Sequence, residues 1–108
     1  MKLISIEDQI IKATISALLA GGFELSMFDG AETTVFRSPD LNLIFDAMKT
    51  TNEDYLFVYR GGDTGPHIGW VRFIYGNGET EVINDYTVNL EPMMVKIMDL
   101  ITEYEDEG

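Results

Sequence analysis

The 108-residue chain carries 19 acidic against 7 basic residues, a formal net charge of −12, with no cysteine and a single histidine. That length suits one globular domain spanning residues 1–108, and the missing cysteines exclude disulfides, thiol catalysis and thiolate metal sites, while one histidine argues against a histidine-built metal centre. Acidity spread over both halves of the chain repels nucleic acids and anionic membranes, whose affinity comes from Lys and Arg on phosphates, and no run approaches the roughly 18 apolar residues of a spanning helix.

The first segment, MKLISIEDQIIKATISALLAGG, has Glu7, Asp8 and Lys12 where a secretory signal would be apolar. It therefore reads as an amphipathic helix, and the cytoplasm is the expected location. Ser5 followed by Asp8 approximates a capping box and predicts a helix over 6–20 that stops at Gly21-Gly22. Ile10, Ile11, Ile15, Leu18 and Leu19 share one arc of it, opposite Gln9, Lys12 and Ser16. FELSMFD and ETTVFRS, joined at Gly30-Ala31, predict a hairpin. Ser38-Pro39-Asp40 offers an N-cap, a proline at the first helical position and an acid near the positive end, predicting a helix through about Lys49 with Leu41, Ile44, Phe45 and Met48 inward. After the polar TTNED link, YLFVYR (55–60) and HIGWVRFIY (67–75) predict strands, and Asn77-Gly78 predicts a two-residue type I′ turn into ETEVIND. A last helix, capped at Asn89 or Glu91 with Pro92 in its first turn, is expected to run to about Tyr104. The order α-β-β-α-β-β-β-α predicts an α+β domain, a mostly antiparallel five-stranded sheet with helices packed on one face.

Alternation along the strands assigns the rings. With Asn77 and Gly78 as the loop, Phe73 faces Val82 and Arg72 faces Ile83, which turns Val71, Phe73, Tyr75, Thr80 and Val82 to the core. Trp70, Arg72, Ile74, Glu81 and Ile83 then share the other face. On YLFVYR, Tyr55, Phe57 and Tyr59 lie on one side and Leu56 and Val58 on the other. A sheet covered by helices on one side only would leave rings in water, so the second face calls for the N-terminal helix, another subunit or a ligand. Tyr59, His67, Trp70, Arg72 and Asp85 are the candidate binding residues.

Catalytic and cofactor patterns find little purchase. GWVRFIY resembles the central strand of RNA-recognition motifs, but Arg72 stands where a ring belongs, Ile68 where a base belongs, and the element order differs. Asp63-Thr64-Gly65 resembles the aspartic-protease turn, yet Gly61-Gly62 precedes it in place of an apolar strand and Pro66 follows it. His67 with Asp63 or Asp85 would make an acid–base pair without a nucleophile beside it. GNG lacks the strand-to-helix setting of a phosphate loop, and Asp63, Glu79 and Asp85 lack calcium-loop spacing. No cofactor, metal or catalytic residue is assigned. On the last helix Met93, Met94, Val95, Ile97, Met98, Leu100 and Ile101 form a stripe too broad for one contact, which implies either a helix wedged between sheet and neighbour or a homodimer seam.

The run GWVRFIYGNGETEVINDYTVNLE, with its aromatic strand Trp70 to Tyr75, the Tyr75-Gly76-Asn77 turn and Asp85-Tyr86-Thr87 before the final helix, resembles a family of small bacteriophage and prophage proteins without an assigned activity. The resemblance implies a small accessory protein acting in the cytoplasm of an infected bacterium. The expected function is non-enzymatic binding of a host or phage protein, as a homodimer. The alternatives are an acidic DNA mimic that inhibits a nucleic-acid-binding enzyme, and a small hydrolase using Asp63 or His67.

Overall fold

The structure, a computed structural model, describes residues 5–62, 64–76 and 78–107, with Glu107 in backbone only. Among the described residues the expected order is present: α1 (Ile6–Ala20), β1 (Phe23–Phe28), β2 (Thr33–Ser38), α2 (Leu41–Asp46), β3 (Glu53–Arg60), β4 (Gly69–Ile74), β5 (Ile83–Tyr86) and α3 (Glu91–Glu107). A 3-10 turn at Val88–Leu90 leads into α3. The fold is α+β, and no described helix is long and apolar enough to cross a membrane.

α1 begins where the sequence places it, with Ser5 Oγ accepting the Asp8 N–H at 3.0 Å. Its inner face is Ile10, Ile11, Ile15 and Leu18, all fully buried. The hairpin after it turns on Asp29, whose Oδ1 accepts the N–H groups of Ala31 and Glu32, each at 2.9 Å. Those bonds favour the charged form, and they hold the Asp29 pKa below its ordinary value.

α2 is shorter than expected and starts later. Asp40, not Ser38, is its N-cap, because a carboxylate one residue before the helix reaches both the Asn42 and Leu43 N–H groups. Ser38 closes β2 instead, and its Oγ accepts the Asp40 N–H at 3.0 Å. The helix ends at Asp46 rather than near Lys49: Ala47 and Met48 donate to carbonyls three residues back, Lys49 takes a φ of 67°, and its N–H turns to Asp54 Oδ2 at 2.9 Å.

The sheet order is β2-β1-β3-β4-β5, every neighbouring pair antiparallel, with β3 at the centre. Helices cover one side. Leu25, Met27, Val35, Leu56, Val58, Val71 and Phe73 form one core with the inner faces of α1 and α2 and with Leu90, Met94, Ile97 and Ile101. The broad apolar stripe of α3 is therefore largely consumed within the chain, although Val95 remains 46% exposed. Gly69 is buried where β4 passes under the 3-10 turn, and a Cβ there would lie 2.4 Å from Thr87 Oγ1 and 3.1 Å from Leu90 Cγ.

The expected β4–β5 register needs correction. Phe73 lies opposite Ile83 and Arg72 opposite Asp85, with an irregularity between them. The ladder is shorter than expected, since 78–82 lie outside any strand, and Asn77 itself falls outside the described residues. One consequence is that Val82 and Ile83 both pack on the core, whereas strict alternation had sent Ile83 to the opposite face.

Candidate functional site: the open aromatic face

The sheet side away from the helices is a layer of rings, and the strand registers give its layout. Phe28, Tyr55, Arg72 and Asp85 form one row across β1, β3, β4 and β5. Ser26, Phe57 and Trp70 form the next, and Glu24 with Tyr59 the third. Each alternates with a core residue on its own strand, which is why these side chains share a face.

Ring contacts run through the whole layer. Phe28 lies 6.1 Å from Tyr55 and 6.0 Å from Phe57, centroid to centroid. Tyr55 and Phe57 are 6.2 Å apart and nearly parallel, and Tyr55 meets Trp70 edge-on at 6.2 Å. His67 tilts onto Phe57 at 4.8 Å and stands against Tyr59 at 6.1 Å. Such offset and edge contacts suit the ring quadrupoles and fix the side chains without enclosing them. None of Phe28, Phe36, Tyr55, Phe57, Tyr59 or Trp70 belongs to the helix-side core.

A bulge brings β2 into the same surface. Leu25 pairs with Ser38 but Met27 pairs with Val35, so β2 carries an extra residue opposite Ser26. Arg37 absorbs it with a left-handed φ of 47°, and its N–H donates to the buried Ser26 Oγ at 2.9 Å. Phe36 and Arg37 consequently both reach Tyr59, Phe36 at 6.3 Å between centroids and Arg37 Cζ at 4.5 Å over the ring. Phe36 is 73% exposed.

Two arginines are held alike on this face. Arg37 pairs with Glu24 at 3.2 Å, and Arg72 donates from Nε to Glu53 Oε2 at 3.0 Å while its Cζ lies 5.8 Å over Tyr55. Glu53 raises the Arg72 pKa above its already high ordinary value. Arg72 also donates to Asn84 Oδ1 at 3.0 Å. The face thus combines apolar rings with locally neutralised charge.

Four of the five candidate binding residues, Tyr59, His67, Trp70 and Arg72, fall within this layer, and Asp85 stands at its rim opposite Arg72. Phe28, Phe36, Arg37, Glu24 and Glu53 are the members that sequence reasoning did not single out. Alternation marks Phe28 once β1 is placed; the bulge that redirects Arg37 leaves no local signal. The suggested acid–base pairing does not form at Asp85, since no hydrogen bond or ion pair joins it to His67 among the described residues, and Asp63 lies outside them. No group of three or more His, Asp or Glu side chains suited to a metal occurs among the described residues.

A second polar cluster lies on the helix side. Lys49 Nζ meets Glu7 at 2.8 Å and Asp8 at 3.1 Å, and these carboxylates raise its pKa. Beside it, fully buried Asp54 accepts the Tyr75 hydroxyl and the Lys49 N–H on Oδ2, while Oδ1 has no partner among the described residues. Burial raises the Asp54 pKa, and burial followed by the Asp54 hydrogen bond raises that of Tyr75. Glu7, Lys49, Gly76, Gly78 and Glu79 line a shallow open depression nearby.

Comparison with protein-family models, with curated proteins and with solved structures gives no match.

Proposed function

We propose that this chain is a non-enzymatic binding protein that recognises another polypeptide through the helix-free aromatic face of its sheet. The observation that carries the reading is the continuous ring layer from Phe28 to Trp70, which no described helix packs against. Aromatic side chains gathered on one accessible surface are the residues that most often anchor protein interfaces. The resemblance noted in the sequence adds a setting, a phage or prophage accessory protein working on a host or phage partner in the bacterial cytoplasm.

For the homodimer, α3 buries Met94, Ile97 and Ile101 within its own chain, so a seam there has less apolar surface to offer. The DNA-mimic and hydrolase alternatives gain no support on this face: Glu24 and Glu53 are paired with arginines, and His67 lies against rings.

Capture from bacterial lysate on the immobilised protein, run beside Phe36→Asp and Leu43→Asp, tests the reading. Both residues are exposed apolar side chains, 73% and 53% accessible, so neither change disturbs the core, but only Phe36 belongs to the ring layer. The expected result is a specific protein retained by Leu43→Asp and lost with Phe36→Asp. Equal retention by both variants contradicts the proposal.

A further inference from the structure

We infer that the segment received by this face is cationic, and that Trp70 with Asp85 forms a seat for an arginine side chain of the partner; the inference rests on the binding role proposed above. The face already holds guanidinium groups twice in one manner. Arg37 lies 4.5 Å from the Tyr59 centroid and bonds Glu24, and Arg72 lies 5.8 Å from the Tyr55 centroid and bonds Glu53. A flat, weakly hydrated guanidinium stacks on a ring while its edge N–H groups reach a carboxylate.

Trp70 repeats the arrangement without the cation. Indole is the best of the aromatic side chains for this contact, yet no cation lies over Trp70 among the described residues. The Thr87 N–H donates to the Trp70 carbonyl at 3.1 Å and Asp85 lies opposite Arg72 in the strand register, so Asp85 is the diagonal neighbour of Trp70 across β4 and β5. That spacing is within reach of one long side chain. Asp85 is exposed; its Oδ1 accepts only the adjacent Tyr86 N–H, at 2.8 Å, and no ion pair holds it among the described residues.

Charge selects this occupant over a second copy. A chain of net charge −12 attracts a basic segment from a distance and repels another copy of itself. Arginine is preferred over lysine because the seat offers a ring plane and a carboxylate edge rather than a point charge.

Trp70 is the sole tryptophan, so its fluorescence reports the seat directly. The whole protein is titrated with a peptide of alternating arginine and glycine, and with lysine–glycine and citrulline–glycine peptides of the same length. The arginine peptide is expected to change Trp70 emission and to bind about fivefold more tightly than the lysine peptide, with a similar loss in Asp85→Asn and no binding of the citrulline peptide. Equal affinity for arginine and lysine peptides, which diffuse attraction alone produces, overturns the inference, as does full affinity in Asp85→Asn. A dimer seen by sedimentation that closes Trp70 to the peptide also overturns it. If the peptide fails while Phe36→Asp still abolishes capture, the binding face stands with a partner of other chemistry; if capture is indifferent too, both readings fall.

Discussion

Asp54 is the residue whose environment departs furthest from what its neighbours in sequence suggest. It belongs to the polar run TTNED, yet it is the second residue of β3, fully buried on the helix side, with one oxygen shared by the Tyr75 hydroxyl and the Lys49 N–H. Its folded pKa is raised above the ordinary value by burial, which outweighs the two hydrogen bonds. The folded state therefore keeps the proton to higher pH than the unfolded chain. The stability that follows is fully present below the ordinary carboxylate pKa and is lost as pH rises through the raised one. Asp29 runs the other way, since its lowered pKa contributes stability above the ordinary value and loses it in acid. Denaturant unfolding of the native protein and of Asp54→Asn separates the two effects. As the pH falls from neutrality toward the ordinary carboxylate pKa, the native protein is expected to gain stability relative to Asp54→Asn. Parallel pH curves contradict the assignment.

At the scale of elements, the two faces of the sheet should respond differently to the same chemical change. Phe73 is fully buried under the helices, and truncation to alanine is expected to cost about 3–5 kcal/mol in urea unfolding. Phe57 is only partly buried on the ring layer, and Phe57→Ala should cost clearly less, about 1–2 kcal/mol, from lost ring contacts. Equal costs would mean that something covers the layer in the free protein. This asymmetry was legible beforehand, because period-two alternation separates Tyr55, Phe57 and Tyr59 from Leu56 and Val58 on any register. The extent of α1 was legible for a similar reason, since its cap and stop signals are local. The features that escaped are those set by distant partners. α2 is cut short by an N–H that turns to Asp54, Arg37 is redirected by a bulge locked on Ser26, and the β4–β5 register is shifted by an irregularity beside Arg72. In each case a hydrogen bond or pairing made across the fold overrides a local preference.

For the whole molecule, the disposition of charge matters as much as its sum. Arg37, Lys49 and Arg72 are engaged by carboxylates of the same chain, and Lys12 lies 4.6 Å over the Phe45 ring. Much of the positive charge is thus spent internally, and a chain of net charge −12 meets solvent as an acidic body with one aromatic, locally neutral sheet face. A partner drawn in by the field would be held by the rings. The emission of Trp70, recorded as the captured partner is added to the free protein, tests this most directly. A blue shift and loss of acrylamide access are expected as the partner covers the layer. Saturating binding with emission and quencher access unchanged would contradict it.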